Sequence, residues 1–222
     1  CGILDEKYAD MIPEEIVLSI PGSKQYITKP ELFMLDLLSN YNWDRPLNLL
    51  SMGGDINIGQ KDYLMYEGFS YKFVPVRNRM SSSSIGFSDP DDLYNKMKNV
   101  FTWDALKRTD YFAAYQNCYT FCGVLSQRQI FINVAKELTE AGEEEKAVEM
   151  LDMCQECVPA EVYPLDMSYY GFSNEYMVAD MIQLYFDLGQ KEKGRKLLNE
   201  FAPQLCRSYE FFTKYDSTRN EL

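Results

Sequence analysis

The cysteines of this chain are spaced in a way that could form a metal site. Cys118 and Cys122 lie four positions apart, and Cys154 and Cys157 lie three apart. Two such pairs could together supply the four thiolates of a structural zinc site. Both pairs, however, fall within helical patterns and lack the glycine-rich turns that surround most structural zinc ions. We therefore expect free, buried thiols, which behave as small apolar side chains, and no bound metal.

The sequence shows no other recognisable catalytic motif. The 222 residues include no histidine, which removes the commonest general base and the commonest metal ligand. Gly22 and the Gly53-Gly54 pair lack the spacing of a phosphate-binding loop. The adjacent acids Asp91 and Asp92 lie at a predicted helix start, where interaction with the helix dipole explains them. The sequence thus predicts neither a catalytic residue nor a cofactor in this segment.

Aromatic side chains are the best candidates for binding. The sequence contains 17 Tyr and 13 Phe, and rings on a loop offer flat faces to a sugar or an extended peptide at a small cost in entropy. The competing interpretation is that the tyrosine and phenylalanine rings fill gaps in the core. In that case Trp43 packs at a helix-to-strand connection and Arg45 caps the C-terminus of the helix. The candidate binding residues are Tyr163, Tyr169, Tyr170 and Phe172 in one predicted loop, and Trp43 and Arg45 in another.

The charge of the chain excludes some classes of partner. Acids outnumber bases 34 to 22, and the formal net charge is −12. Nucleic acid is disfavoured because its binding needs lysine and arginine to neutralise phosphates, and an anionic membrane surface is disfavoured likewise. No apolar run approaches the roughly 18 residues that span a bilayer. The chain opens on Cys1, which we interpret as the start of an excised segment, with a processed lipoprotein as the alternative.

The first part of the chain predicts alternating short strands and helices. The predicted elements are strands at residues 16–20, 46–50 and 69–76 and helices at residues 28–40 and 60–66. The first helix has Thr28 as its N-cap, Pro30 in the first turn and Glu31 three positions after the cap. A β-α-β-α-β order favours a small parallel sheet with helices on its faces.

A polar stretch at residues 77–88, which includes four consecutive serines, is the candidate linker. From Pro90 onward the apolar residues recur with a helical period. We therefore predict an α+β protein with two domains. Residues 1–80 form a small three-stranded α/β unit, and residues 81–222 form an all-α, tetratricopeptide-like array of helical hairpins.

The helical part contains an internal repeat centred on two glycines. Gly142 and Gly189 lie 47 residues apart, and apolar or small residues fall at the same offsets from each: minus 11, 8, 7 and 4, then plus 5 and 9. This resembles the tetratricopeptide pattern, in which a small residue five after the turn, here Ala147, lets two antiparallel helices approach closely. Pro159 closes the first copy, and residues 160–173 form an insertion. Two unrelated helical hairpins are the alternative.

Two motifs are specific enough to suggest a family. The motifs are a Trp-x-Arg-Pro element at Trp43, Arg45 and Pro46, and a Gly-x-x-Tyr-x-x-Val-Pro strand at Gly68, Tyr71, Val74 and Pro75. Together with the order of the other landmarks, over roughly residues 16–198, they resemble the soluble C-terminal region of large bacterial multi-spanning membrane proteins. That family is catalogued as domain of unknown function 2723 and is related to the transmembrane protein O-mannosyltransferases.

The resemblance implies an accessory domain of a membrane glycosyltransferase that uses a lipid-linked sugar. The region would lie on the extracytoplasmic, periplasmic face of the membrane and bind a polypeptide acceptor or a partner protein beside its own membrane-spanning portion. The family's catalytic acid lies in that membrane portion, so no residue of this chain inherits the role. The alternatives are a free-standing periplasmic scaffold or lipoprotein binding module, and an unrecognised sugar-processing enzyme.

Overall fold

The computed structural model describes residues 3–50, 56, 58–77, 87–108, 124–166 and 174–219. The chain divides into two compact units, Cys1–Leu93 and Tyr94–Leu222. The first unit contains a small four-stranded sheet and the second contains packed helical hairpins, which confirms the predicted α+β class. The boundary predicted at residue 80 lies outside the described residues and stays a prediction.

Helix α1, Lys29–Ser39, begins at a capping box, as its sequence predicts. Thr28 Oγ1 accepts a hydrogen bond from the Glu31 backbone N–H at 3.4 Å, and Glu31 Oε2 accepts one from the Thr28 N–H at 2.9 Å. The Glu31 carboxylate is buried and also pairs with Lys24 Nζ at 2.6 Å. Reciprocal capping satisfies backbone donors that the first turn leaves without a helical partner, so local sequence sets where this helix starts.

The sheet has the strand order β1-β3-β2-β4. Its strands are β1 (Asn48–Leu49), β2 (Leu64–Tyr66), β3 (Tyr71–Phe73) and β4 (Phe87–Ser88). Strand β3 pairs antiparallel with β1 and β2, whereas β2 and β4 are parallel. The sheet therefore differs from the parallel one that the element order favours. A tight turn joins β2 to β3, with the Glu67 N–H donating to Ser70 O at 2.9 Å, and so short a connection permits only an antiparallel pair.

Two predicted elements of the first unit take another form. Gln60–Tyr63 is a short 3₁₀ turn that leads directly into β2, rather than a longer helix. Residues 16–20 form no strand, although the side chains of Ile16 and Leu18 pack on the core of the sheet. The Val17 N–H donates instead to the Tyr63 hydroxyl at 3.1 Å. A side chain thus satisfies this backbone donor where the sequence predicted a neighbouring strand.

Five helices of the described part of the chain follow the sheet, and the last four of them form two antiparallel hairpins. They are α2 (Pro90–Asn95), which continues into the π-helical turn Lys96–Val100, then α3 (Val124–Glu140), α4 (Glu144–Cys157), α5 (Asn174–Asp187) and α6 (Lys191–Arg219). Helix α3 packs against α4 to form the first hairpin, and α5 packs against α6 to form the second.

Both hairpins turn in the same way. Gly142 and Gly189 have φ angles of +80° and +71°, in the left-handed region that glycine adopts without a steric penalty. In each turn the glycine N–H donates to the carbonyl three residues earlier at 3.0 Å, and the next N–H donates to the carbonyl five residues earlier, at 2.8 and 2.7 Å respectively. This is the Schellman motif. Its recurrence 47 residues later supports the predicted repeat.

The position five residues after each turn glycine is buried in both hairpins. Ala147 is fully buried, and a Cβ atom on the equivalent Gly194 would lie 3.3 Å from the Phe186 ring. Of the six aligned positions, five are buried in both copies. The sixth differs, because Leu151 is fully buried whereas its counterpart Leu198 is 41% exposed.

The two copies also end differently. Helix α4 stops at Cys157, two residues before Pro159, because proline disfavours helical geometry in the residue that precedes it. The equivalent position in the second copy is Cys206, which imposes no such limit, and α6 continues to Arg219. Pro203 lies within α6, where its missing N–H removes one intrahelical hydrogen bond without ending the helix.

Candidate functional site

An open cleft of about 580 Å³ lies beside the C-terminal end of α1 and the turn that follows it. Its polar lining comes from Asp36 and Asn40 of the helix end and from Asn42 and Arg45 of the turn, with Tyr41 contributing a ring. Carboxylate, amide, guanidinium and phenol groups together offer both donors and acceptors. The cleft can therefore hydrogen-bond a polar ligand, such as a polypeptide backbone or a sugar.

Local hydrogen bonds fix the shape of this turn. Asn40 Nδ2 donates to Asp36 O at 2.8 Å and so caps the end of α1, while Asn42 Nδ2 donates to Asp44 Oδ2 at 2.5 Å. The Tyr41 hydroxyl donates to the Arg45 carbonyl oxygen. Burial raises the pKa of this phenol, although a hydrogen bond with the Leu47 backbone acts to lower it. The turn is thus held in one conformation before any ligand binds.

Trp43 anchors the turn to the core of the first unit. Its ring stacks on Phe73, with centroids 5.6 Å apart and an interplanar angle of 17°, and packs on Tyr41 at 4.5 Å. Its backbone φ is +63°, a conformation that bulky residues rarely adopt. Such strain persists only where the surrounding structure enforces it, and it is concentrated at functional sites. The Trp43 side chain is half-buried and packs on the core. The neighbouring Arg45 is exposed and lines the cleft.

The aromatic candidates of the second unit are only partly described. Tyr163 is 1% exposed, and its burial favours the packing interpretation for this ring. Tyr169, Tyr170 and Phe172 lie outside the described residues, so their role in binding stays a prediction.

A buried arginine, which sequence reasoning missed, organises the connection between the two hairpins. Arg128 is 2% exposed and donates from Nη1 to Asn174 Oδ1 at 2.6 Å and from Nη2 to Tyr163 O at 3.2 Å. Asn174, which is fully buried, donates in turn to Leu165 O at 2.7 Å. A charged residue on the apolar stripe of α3 is the one sequence signal of this network. A cavity of about 170 Å³ beside it is lined by both cations and anions, which favours no single ligand chemistry.

The two cysteines of α4, Cys154 and Cys157, have unreactive environments. Cys154 and Cys157 are free and buried, and burial raises the pKa of Cys154 to about 12 and that of Cys157 to about 11. A thiol that keeps its proton is a poor nucleophile and a poor metal ligand. Among the described residues no group of three or more His, Cys, Asp or Glu could hold a metal ion. Cys118 and Cys122 lie outside those residues, so the absence of zinc stays a prediction.

The first unit is similar to a domain found in association with a glycosyltransferase-like protein. Residues 1–92 match the family model described as TMEM260-associated domain 2, and TMEM260 is related to the O-mannosyltransferases. The match ends at residue 92, and the first compact unit ends one residue later, at Leu93. It agrees with the predicted resemblance to O-mannosyltransferase-related proteins but does not confirm the particular family, domain of unknown function 2723.

No curated protein and no solved structure matches the chain. None of the described helices combines the length and the apolar character needed to cross a bilayer.

Proposed function

We propose that this chain is an accessory region of a membrane glycosyltransferase that binds a polypeptide acceptor on the extracytoplasmic side and does not itself transfer the sugar. The match of residues 1–92 to a TMEM260-associated domain is the observation that carries the proposal. A domain associated with a transferase, but separate from its membrane portion, contributes by binding and positioning. Binding energy spent away from the reacting atoms still raises the rate when it orients the acceptor.

The cleft after α1 is the acceptor site that we propose. Its amide, carboxylate and guanidinium groups suit the alternating donors and acceptors of an extended polypeptide backbone. Strand β1 leads out of the cleft and is an edge strand of the described sheet. An extended chain that crosses the cleft can continue along this edge by strand addition, in which backbone hydrogen bonds provide affinity and side-chain pockets provide selectivity.

Peptide titration tests this proposal. Fluorescently labelled 15-residue peptides rich in serine and threonine, which carry the hydroxyls that O-glycosylation needs, are titrated with the 222-residue chain and followed by anisotropy. Arg45→Ala should weaken binding by about ten- to a hundredfold, since a hydrogen bond to a charged group contributes about 1.5–3 kcal/mol. Lys29→Ala is the matched control, because it removes an exposed cation at the opposite end of α1.

The outcomes separate the site from the function. Equal weakening by Arg45→Ala and Lys29→Ala would indicate a general charge effect and reject the cleft as the site. No binding of any peptide by the wild-type chain would reject acceptor binding altogether.

A further inference from the structure

Helix α1 presents apolar side chains to solvent in its first half. Leu32 and Phe33 are 63% and 69% exposed, and Tyr26 and Ile27, just before the N-cap Thr28, are 73% and 46% exposed. The side of a surface helix that faces water normally carries polar residues. Neighbouring exposed apolar side chains mark a surface that interacts with something other than water. Leu32 and Phe33 together are called the α1 patch below.

The α1 patch lies on the same side of the helix as the cleft. At 3.6 residues per turn, Phe33 and Asp36 lie within about 60° of each other, and Leu37 follows Phe33 by about one turn. Asp36 and Leu37 line the cleft beside the end of α1. Leu38, on the opposite side of the helix, packs on the core of the sheet. The patch is therefore an apolar extension of the cleft, about one helical turn from the residues that line it.

The segment that carries the patch has no exposed acid. Between Glu15 and Asp36 the one acidic residue is Glu31, which is fully buried and pairs with Lys24 Nζ at 2.6 Å. The chain as a whole has a net charge of −12. This part of its surface can nevertheless cover an apolar side chain without taking an exposed carboxylate out of water, a step that would oppose binding. The surroundings of the patch therefore favour an apolar occupant.

An apolar subsite gives the cleft a selectivity that backbone contacts do not provide. Backbone hydrogen bonds are alike for every polypeptide, so discrimination depends on where side chains fit. A side chain that packs on Leu32 and Phe33 binds with a favourable free energy in proportion to the apolar area that it removes from water. An aromatic side chain also gains from edge or offset contact with the Phe33 ring. Aromatic and large aliphatic side chains are therefore the ones that the patch selects.

We propose that the α1 patch is an apolar subsite of the acceptor site, so that the chain selects acceptor segments with an aromatic or large aliphatic residue beside the hydroxyl-bearing stretch. The polar stretch lies in the cleft near Arg45, and the apolar side chain packs on Leu32 and Phe33. The inference rests on the proposed function, because the segment that enters the cleft is the polypeptide acceptor. A segment of serine and threonine alone uses the cleft and leaves the patch uncovered.

Anisotropy titrations of a peptide series with the 222-residue chain test the proposal. The parent is a serine- and threonine-rich peptide without aromatic or large aliphatic residues, and in the series a single phenylalanine replaces each position in turn. The tightest of these peptides should bind about tenfold more tightly than the parent, as burial of part of a ring provides. In the variant that combines Leu32→Gln with Phe33→Gln this gain should be lost, whereas binding of the parent should stay the same.

Two further variants serve as controls. Val17→Gln is the matched one, since Val17 is 56% exposed in the same unit but lines a different cleft, and it should keep the tenfold gain. Phe33→Leu retains an apolar side chain and should keep most of the gain. Glutamine and leucine are both good helix formers, so circular dichroism should show unchanged helicity in the α1 variants.

The outcomes separate this inference from the proposed function. If the phenylalanine peptides bind no more tightly than the parent, or bind the double variant as tightly as the wild type, the subsite is rejected and the cleft remains the acceptor site. The subsite is also rejected if Val17→Gln removes the gain. Absence of binding by every peptide rejects the subsite together with acceptor binding. Flotation with lipid vesicles or self-association that the double variant loses, with peptide binding unchanged, would assign the patch to a lipid surface or a second copy and overturn the proposal.

Discussion

The turn at Trp43 combines a strained backbone with a well-packed side chain. A left-handed conformation costs a residue with a Cβ about 1–2 kcal/mol, and Trp43 adopts it with a φ of +63°. The stacking of its ring on Phe73 and Tyr41 offsets this cost. The same arrangement projects Arg45 toward the cleft, so packing inside the unit determines what the surface presents.

Substitution of Trp43 should reveal this strain. Trp43→Ala removes the ring and keeps the Cβ, whereas Trp43→Gly removes both. We expect Trp43→Gly to be more stable than Trp43→Ala by about 1 kcal/mol, although both should be less stable than the wild type. At an ordinary helical or extended position the order is reversed, since glycine loses more entropy on folding. Urea denaturation measures the difference, and a more stable alanine variant would contradict the strained conformation.

Asp89, near the end of the first unit, forms an ion pair with Lys7 near its start. Its carboxylate pairs with Lys7 Nζ at 2.6 Å and accepts a hydrogen bond from the Asp92 N–H at 3.3 Å at the start of α2. Burial tends to raise the pKa of this carboxyl group, but the hydrogen bonds from Lys7, Asp92 and Tyr8 outweigh burial and hold the pKa below its ordinary value of 3.8. The folded state therefore favours the ionised form.

The stabilisation from Asp89 should depend on pH. A carboxyl group whose pKa is lower in the folded state stabilises the fold above its unfolded pKa, and this contribution is lost as the pH falls through the folded pKa. Asp89→Asn keeps a good N-cap but removes the charge. We expect the variant to be less stable than the wild type at pH 7, with the difference shrinking as the pH falls below about 4 and through the lower pKa of the folded state. Thermal melts from pH 3 to 7 measure this, and the exposed Asp10→Asn serves as a control. A difference that does not vary with pH would contradict the ionic role.

Among the elements, helices could be predicted from the sequence far better than strands. The capping box at Thr28 and the glycine turn at Gly142 depend on residues within one turn of each other, so their signals are local. Strands of two or three residues have almost no periodicity of their own. Their pairing depends on distant contacts, such as that of Met65 with Phe87. Residues 16–20 have the composition of a strand, but in the structure the Val17 N–H donates to the Tyr63 hydroxyl and not to another strand.

Only part of the candidate site could be predicted from the sequence. Trp43 and Arg45 stand out by residue type, and the structure places both in the turn beside the cleft. The amide and carboxylate groups that complete the cleft are ordinary surface residues by sequence, and only the fold brings them together. The buried Arg128 network depends on carbonyl groups that lie some 30 or more residues away in the chain, which no local pattern reveals.

Overpacking between α3 and α4 should test the tetratricopeptide-like contact. Ala147 is fully buried where the two helices approach closely. Ala147→Leu adds three carbons at this point and should destabilise the second unit by about 1–3 kcal/mol. Glu145→Leu, two residues earlier and exposed, introduces the same side chain without the clash and should change stability little. Guanidinium denaturation compares the two, and equal stability of Ala147→Leu and wild type would show that the hairpin is not packed in this way.

At the scale of the whole molecule, the chain consists of two compact units of different construction. The first depends on a small sheet whose last strand, β4, pairs with β2 only after the segment at residues 78–86. The second depends on hairpins in which each helix packs mainly on its sequence neighbour. The first unit should therefore be more sensitive than the second to where the chain is cut, since its sheet is completed late in the sequence.

Fragments of the chain test this difference directly. A fragment of residues 1–93 retains all four strands, the core around Phe73 and the Lys7–Asp89 ion pair, so we expect it to fold and to unfold cooperatively. A fragment of residues 1–80, which ends at the boundary that composition predicts, lacks β4 and Asp89. The loss of β4 uncovers Met65, which in the complete unit packs beside Phe87 and is only 4% exposed. The loss of Asp89 removes the carboxylate that pairs with Lys7. We expect the shorter fragment to melt at a clearly lower temperature or to show no cooperative transition by circular dichroism. Equal melting temperatures would mean that residues 81–93 do not belong to the first unit, and would move the boundary back to residue 80.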